Sequence, residues 1–310
     1  MRHAEPRRGL RVAKAVALCP RGEPVSRIDQ FASAFLAASK PKFEHREVCI
    51  ERVLVLTDLD EKLAGAYGAR VRDFLGGLGQ SEALAWEVVT GERCRSIGEM
   101  LELGAEWRPH LVCGYRNLHS GAWRWPHSLS DHIEVLTQVT DVPVLLLPRP
   151  GEEKGWEDAT GAPFTVMALT DHLAGDQHLV HHAVEFAGSG GRLLLAHVEH
   201  QAVFDRYMDV IARLPRIPTD LAREDIKRQL LKEPADWAAE VTEELSEAGV
   251  AIDVRHLVQM GQRLPAYQRL ISENNADLLV MNTKQEGQLA MHGLSYQIAV
   301  EMRSIPVLML

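Results

Sequence analysis

The chain has 310 residues, 46% of them hydrophobic and 25% charged, with a formal net charge of -9. That is the composition of a soluble globular protein with room for two domains. It argues against a nucleic-acid partner, which wants a basic face, and no run approaches the roughly 18 apolar residues of a membrane span.

The basic start MRHAEPRRGLRVAKAVALCP has an apolar part broken by Arg11 and Lys14 and no clean cleavage site, so a cytoplasmic chain is expected. VAKAVALC (12–19) predicts a first strand, VSRIDQFASAFLAAS (25–39) a helix and RVLVLTD (52–58) a second strand. Residues 63–78 predict a glycine-weakened helix, ALAWEVV (83–89) the third strand and CRSIGEMLELGAEW (94–107) a third helix. HLVCG (110–114), a helix near 128–140 and VPVLLL (142–147) complete the unit. Starting this unit at Arg52 instead would leave it one strand–helix step short, so the earlier start is preferred. The segment PRPGEEKGWEDATGAP (148–163), dense in Pro, Gly and charge, reads as a linker.

FTVMALT (164–170) then predicts a buried strand, 177–187 a helix stopped by Gly188-Ser189-Gly190-Gly191, and RLLLAHV (192–198) the next strand. Residues 201–249 read as charged and helical, divided by Pro215, Pro218 and Pro234. VAIDVRHLVQMG (250–261), LPAYQRLISENN (264–275), ADLLVMN (276–282), LSYQIAVEMR (294–303) and IPVLML (305–310) continue the strand–helix alternation. Such alternation predicts an α/β fold with right-handed crossovers and a parallel sheet. The chain also repeats itself: EVVTGERCRSIGEML through VPVLLL matches LVQMGQRLPAYQRLI through IPVLML. The expected organisation is two copies of one unit, 11–149 and 163–310.

These residues resemble the universal stress protein family in its tandem two-domain form. The likeness is carried by LLLAHV, by the series LVQMG, LI and ADLLVM, and by the Ile/Val-Pro-Val-Leu endings. It implies, for each half, a Rossmann-like five-stranded parallel sheet of the adenine-nucleotide alpha-hydrolase type, order 3-2-1-4-5, with the halves packed as a pseudo-dimer through their last strands. Ligands of such sheets bind beyond the carboxyl ends of strands where the order reverses. Members that bind ATP have an Asp ending strand one and, after strand four, Gly-x2-Gly-x9-Gly-Ser/Thr, whose small residues admit phosphate to backbone N–H groups.

Carried over, the resemblance gives Asp171, Val198, Gly261, Asn282, Gly293 and Ser295 as the ligand contacts of the second half. Asn282 and Gln285 stand where two glycines belong, and Leu294 replaces the hydroxyl beside Ser295, so ATP or another adenine nucleotide would bind here weakly or in altered form. In the first half, strand one ends in Cys19-Pro20 without a carboxylate. Strand four runs into Gly114-Tyr115-Arg116-Asn117, a loop with Trp123 and Trp125 follows, and Ser130-Asp131 replaces Gly-Ser. No ATP is expected there.

His178, His181, His182, His197 and His200 invite a metal reading. Helical spacing sets His178 and His182 opposite Val180, Ala183 and Ala187, on a solvated face, and His197 inside a buried strand, so no metal is expected. The four cysteines show no C-x-x-C pair, consistent with free thiols. No nucleophile elbow, phosphate loop or dinucleotide fingerprint occurs. The resemblance therefore implies a non-enzymatic stress-response factor, with a small-molecule ligand, a protein partner and a homodimer left open, and neither nucleic acid nor membrane expected. Two alternatives stand: an adenine-nucleotide-dependent enzyme on the same sheet, and a small-molecule or lipid carrier in which 201–234 covers an apolar pocket through Val203, Phe204, Met208, Ile211 and Leu214.

Overall fold

The computed structural model describes residues 42–78, 84–121, 128–151, 161–170, 176–214, 219–283, 291 and 293–310. In the first half, β1 (Arg52–Leu56) and β3 (Leu111–Tyr115) are covered on both faces, whereas β2 (Ala85–Val89) is only partly covered. Runs that are apolar on both faces belong inside a parallel sheet. Accordingly β1 lies between β2 and β3, and β3 continues to β4 (Val144–Leu147), all parallel. Helices α1 (Glu61–Phe74), α2 (Ile97–Trp107) and α3 (Asp131–Val139) make the connections. Asp60 caps α1 through Leu63 N at 2.9 Å, and Ser96 with Glu99 forms a capping box on α2.

This pairing corrects the expected strand assignment. Arg52–Leu56 holds the central place that the sequence reading gave to 12–19, which lie outside the described residues. The first-half strand at the reversal point therefore ends in Thr57-Asp58 and does carry a carboxylate.

In the second half β5 (Thr165–Leu169) pairs with β6 (Arg192–His200) and β8 (Leu278–Met281), β6 with β7 (Asp253–Gly261), and β8 with β9 (Val307–Met309), all parallel. The helices are α4 (Gln177–Ala187), α5 (Gln201–Ile211), α6 (Thr219–Glu247), α7 (Arg263–Asn274) and α8 (Gly293–Glu301). Pro234 was expected to divide the insertion, yet α6 runs through it for 29 residues. An interior proline deletes one helical hydrogen bond. Burial of Trp237, Ala238, Val241 and Leu245 on the following turns offsets that loss. Val203 and Leu214 are exposed while Phe204 and Met208 are buried, so the insertion does not turn that whole apolar set onto a pocket.

The halves join where β4 and β9 pair antiparallel, with Val144 opposite Met309, Leu145 opposite Leu308 and Leu146 opposite Val307. One nine-stranded sheet results, in the order β2-β1-β3-β4-β9-β8-β5-β6-β7. Among the described residues the first half contributes four strands to it, the fifth expected one, 12–19, lying outside them. All six joining side chains are buried, and each fully buried aliphatic side chain is worth about 1.5–3 kcal/mol.

Three further contacts fasten the halves. Arg116 is buried at the end of β3, with Nε donating to Ala299 O at 2.8 Å and Nη2 to Met302 O at the end of α8. A helix C-terminus favours a cation in that place. Tyr296 on α8 donates to Glu134 on α3 at 2.9 Å. Finally, residues 42–50, without helix or strand, cross the second half before entering β1. There Phe43 N donates to Glu240 at 2.8 Å, His45 N to Glu244 at 3.3 Å, and the buried Phe43 ring meets His181 with centroids 5.4 Å apart. No described helix is long and apolar enough to cross a membrane.

Candidate functional site

Strand order reverses between β1 and β3 and again between β5 and β8, so the fold offers two crevices beyond carboxyl ends. The first is built on Asp58. Thr57 fixes the end of β1 by donating its hydroxyl to Val89 O at 2.8 Å. Asp58 N donates to the Tyr115 hydroxyl oxygen at 2.9 Å, and that hydroxyl in turn donates to Asp58 Oδ1. Oδ2 accepts from His119 N at 3.0 Å and from Arg149 Nη1 and Nη2 at 3.5 and 3.4 Å. Arg149 also donates to Asn117 O at 2.9 Å and lies 5.5 Å from the Tyr115 ring centroid. Burial, reinforced by the bond to the carboxylate, holds the Tyr115 phenol well above its ordinary range.

Gly91 closes the other side. A Cβ there would come 2.7 Å from the carbonyl carbon and oxygen of Asp58, so only glycine permits this approach. A crevice of about 860 Å³ opens between Asp58, Asp60, Gly65, Val88, Thr90 and Gly91.

The loop after β3 and the start of α3 supply polar atoms. Asn117 and His119 adopt positive φ, 61° and 54°, and Ser130 does so at 87°. Ser130 therefore caps α3 without the usual side-chain hydrogen bond. Asn117 and Ser130 are 5% and 3% exposed, and Asn117 Oδ1, Ser130 Oγ, His119 Nε2 and His132 Nε2 are buried with no hydrogen-bond partner among the described residues. The two imidazoles sit 4.9 Å apart. Burial first, then the neighbouring His132, pushes the His119 pKa down, which keeps it neutral. Buried polar atoms are nearly always paired, so four without a partner among the described residues make this cluster a candidate for hydrogen-bonding groups of a ligand.

The second crevice differs. Asp171 and Gln285 lie outside the described residues. Val198 is fully buried, with its carbonyl accepting from Arg263 Nε at 3.2 Å, and a Cβ on Gly261 would lie 3.7 Å from Val198 Cγ1. Asn282 donates its amide to Asp176, the N-cap of α4. Ser295, buried, donates its hydroxyl to Asn282 O at 2.7 Å, while Gly293 is exposed at the start of α8. The structure thus brings Asn282 and Ser295 together, but their polar groups answer each other and Asp176. Ser295 is a structural clasp between β8 and α8 in this arrangement.

The histidine reading also needs correction. His178 is exposed, but His182 is buried, its Nδ1–H donating to His178 O over 2.9 Å, and burial pushes its pKa down to about 4. Residues 42–50 lie over His181, whose Nε2 sits 2.8 Å from Glu44 O, so this side of α4 faces protein rather than solvent. His197 is a buried strand histidine with Nδ1 2.9 Å from Thr170 O. Among the described residues, no group of three or more His, Cys, Asp or Glu side chains is placed to hold a metal ion.

Sequence reasoning missed Asp58, Tyr115, His119, Ser130 and Arg149 as one constellation. The tripeptide Leu-Thr-Asp, present at 56–58 and again at 169–171, was the available signal.

These features define a mostly parallel α/β sheet protein with ligand-type crevices at its reversal points. Residues 164–294 match the model of the Universal stress protein family. A search of curated proteins finds no match. Among solved structures, a functionally unknown protein from Pseudomonas aeruginosa PAO1 is similar at 13% identity, covering 94% of this chain and 89% of that one with a TM-score of 0.43. A universal stress protein from Archaeoglobus fulgidus DSM 4304 is similar at 16% identity, with coverage of 84% and 85% and a TM-score of 0.42. A universal stress protein family member from Burkholderia pseudomallei is similar at 20% identity over 47% of this chain and 96% of that one, with a TM-score of 0.29.

Proposed function

We propose that this chain is a tandem universal stress protein, a non-enzymatic stress-response factor of the cytoplasm that senses a small polar ligand in its first-half crevice. The antiparallel β4–β9 pairing is, on this reading, the internal counterpart of a homodimer contact, which makes the molecule a pseudo-dimer. The observation that carries the proposal is the set of orphaned atoms on Asn117, His119, Ser130 and His132, in the loop that His119 N ties to Asp58. Adenine nucleotides are the ligand class that the sequence resemblance implies, and the family match that supports the resemblance lies at 164–294, in the second half. Asp58 already accepts from Tyr115, His119 N and Arg149, an arrangement suited to holding a ligand's surroundings rigid rather than to abstracting a proton. The second-half crevice is the weaker candidate because Asn282 and Ser295 are engaged within the protein.

The test is calorimetric titration of the dialysed protein with ATP, ADP and AMP, alongside the double variant Asn117→Leu/Ser130→Ala. Saturable binding weakened about tenfold in the variant is expected, the loss of one or two hydrogen bonds. Equal affinity in a variant that still folds, or no binding of any of the three, removes the reading. Phosphate release under turnover conditions would transfer the protein to the enzyme alternative.

A further inference from the structure

Helix α5 presents two unlike faces. Phe204 and Met208 are buried beneath it, with the Arg223 guanidinium 5.5 Å from the Phe204 ring and bonded to Asp205 at 2.9 Å. Its outer face carries Val203, Tyr207, Val210 and Leu214, which are 44%, 64%, 56% and 48% exposed. These are four of the eight exposed large hydrophobic side chains among the described residues, so the apolar surface is concentrated rather than scattered. Their spacing of four, three and four makes one seam about 16 Å long. Leu214 continues it past the helix end because its N–H still bonds Ile211 O at 2.9 Å.

At about 100° per residue, Arg206 and Arg213 fall together along one edge of this seam, while Phe204 and Ile211 on the other edge lead back into the body. Both arginines are exposed and have no side-chain partner among the described residues. A chain of net charge -9 thus borders this apolar stripe with positive charge.

We infer that the outer face of α5 docks an amphipathic helix from another protein, one with apolar side chains at the same spacing and carboxylates along the edge that meets Arg206 and Arg213. Antiparallel pairing with a second copy would set the two arginines of one molecule beside those of the other, which opposes association. An anionic bilayer is disfavoured by the same net charge and by Asp205 and Asp209 on the polar side of the helix.

The experiment uses the full chain and two synthetic helical peptides with identical leucine seams, one edged with glutamate and one with lysine, followed by fluorescence anisotropy. The glutamate peptide should bind at least tenfold more tightly, and the preference should reverse in Arg206→Glu/Arg213→Glu. Val210→Asp should abolish binding without moving the unfolding midpoint, since that side chain is more than half exposed. Equal binding of the two peptides, or none, overturns the inference. So does dimerisation that Val210→Asp prevents, which would give the seam to a second copy, or co-sedimentation with phosphatidylglycerol vesicles, which would give it to a membrane.

Discussion

Arg149 reaches back from beyond β4 to place Nη2 3.4 Å from Asp58 Oδ2, with side chains only 20% and 14% exposed. The two residues are 91 positions apart, so the start of the inter-half connection is fixed to the end of the central first-half strand.

Because this pair is largely desolvated, Arg149→Met should lower stability by about 1–3 kcal/mol, most of it from the carboxylate left behind. Asp58→Asn in the same background should cost less than it does alone. Urea melts of the four-member cycle decide the matter, and additivity within about 0.5 kcal/mol would mean the two do not interact.

Arg116→Met removes two charge-assisted bonds to α8 carbonyls at the seam between halves. A loss of about 2–3 kcal/mol is expected. Hydrogen exchange should quicken selectively in β4 and β9. Exchange that rises evenly through the sheet would count against a role at the seam.

Acid should weaken the protein before carboxylates titrate widely. His182 is held neutral by burial with a pKa near 4, and burial lowers those of His45 and His178 in the same direction. The unfolded chain, with histidines near 6.5, takes up protons first, so stability is intact above about pH 7 and falls as pH drops from 6.5 toward 4. His182 alone accounts for roughly 3 kcal/mol over that window. His182→Gln should flatten the stability profile there, and an unchanged slope would refute the assignment.

The thiols should separate by reactivity. Cys49 is exposed, while burial raises the Cys94 pKa to about 11 and that of Cys113 well beyond the ordinary thiol range. Native labelling with iodoacetamide, read by peptide mass, should modify Cys49 and spare Cys94 and Cys113 until the protein is unfolded.

The strand–helix alternation was legible because buried strands such as RVLVL and ADLLVM announce themselves by composition alone. Which strand stands at the centre was not. VAKAVALC and RVLVLTD read equally well as opening strands, and only the pairing of Arg52–Leu56 with both neighbours separates them. That one displacement hid Asp58, and with it Tyr115 and Arg149, whose contacts span 57 and 91 residues. The face of α4 that carries His181 was misread for a related reason: helical periodicity sees a helix's own faces, not the irregular segment laid across it from 137 residues away. In the second half Asn282 and Ser295 were chosen as ligand contacts; the bond that joins them is a matter of hydroxyl direction, which residue identity does not encode.

The passage of residues 42–50 over α4 and α6 lays the approach to β1 on the surface of the second half. Severing the chain within 148–163 would therefore not release two proteins. Each fragment would keep the other through the overlay and the shared sheet, and either one expressed alone would present raw apolar surface. The two halves form an obligate whole, and gene-splitting or swapping of a single half would have to carry this overlay along.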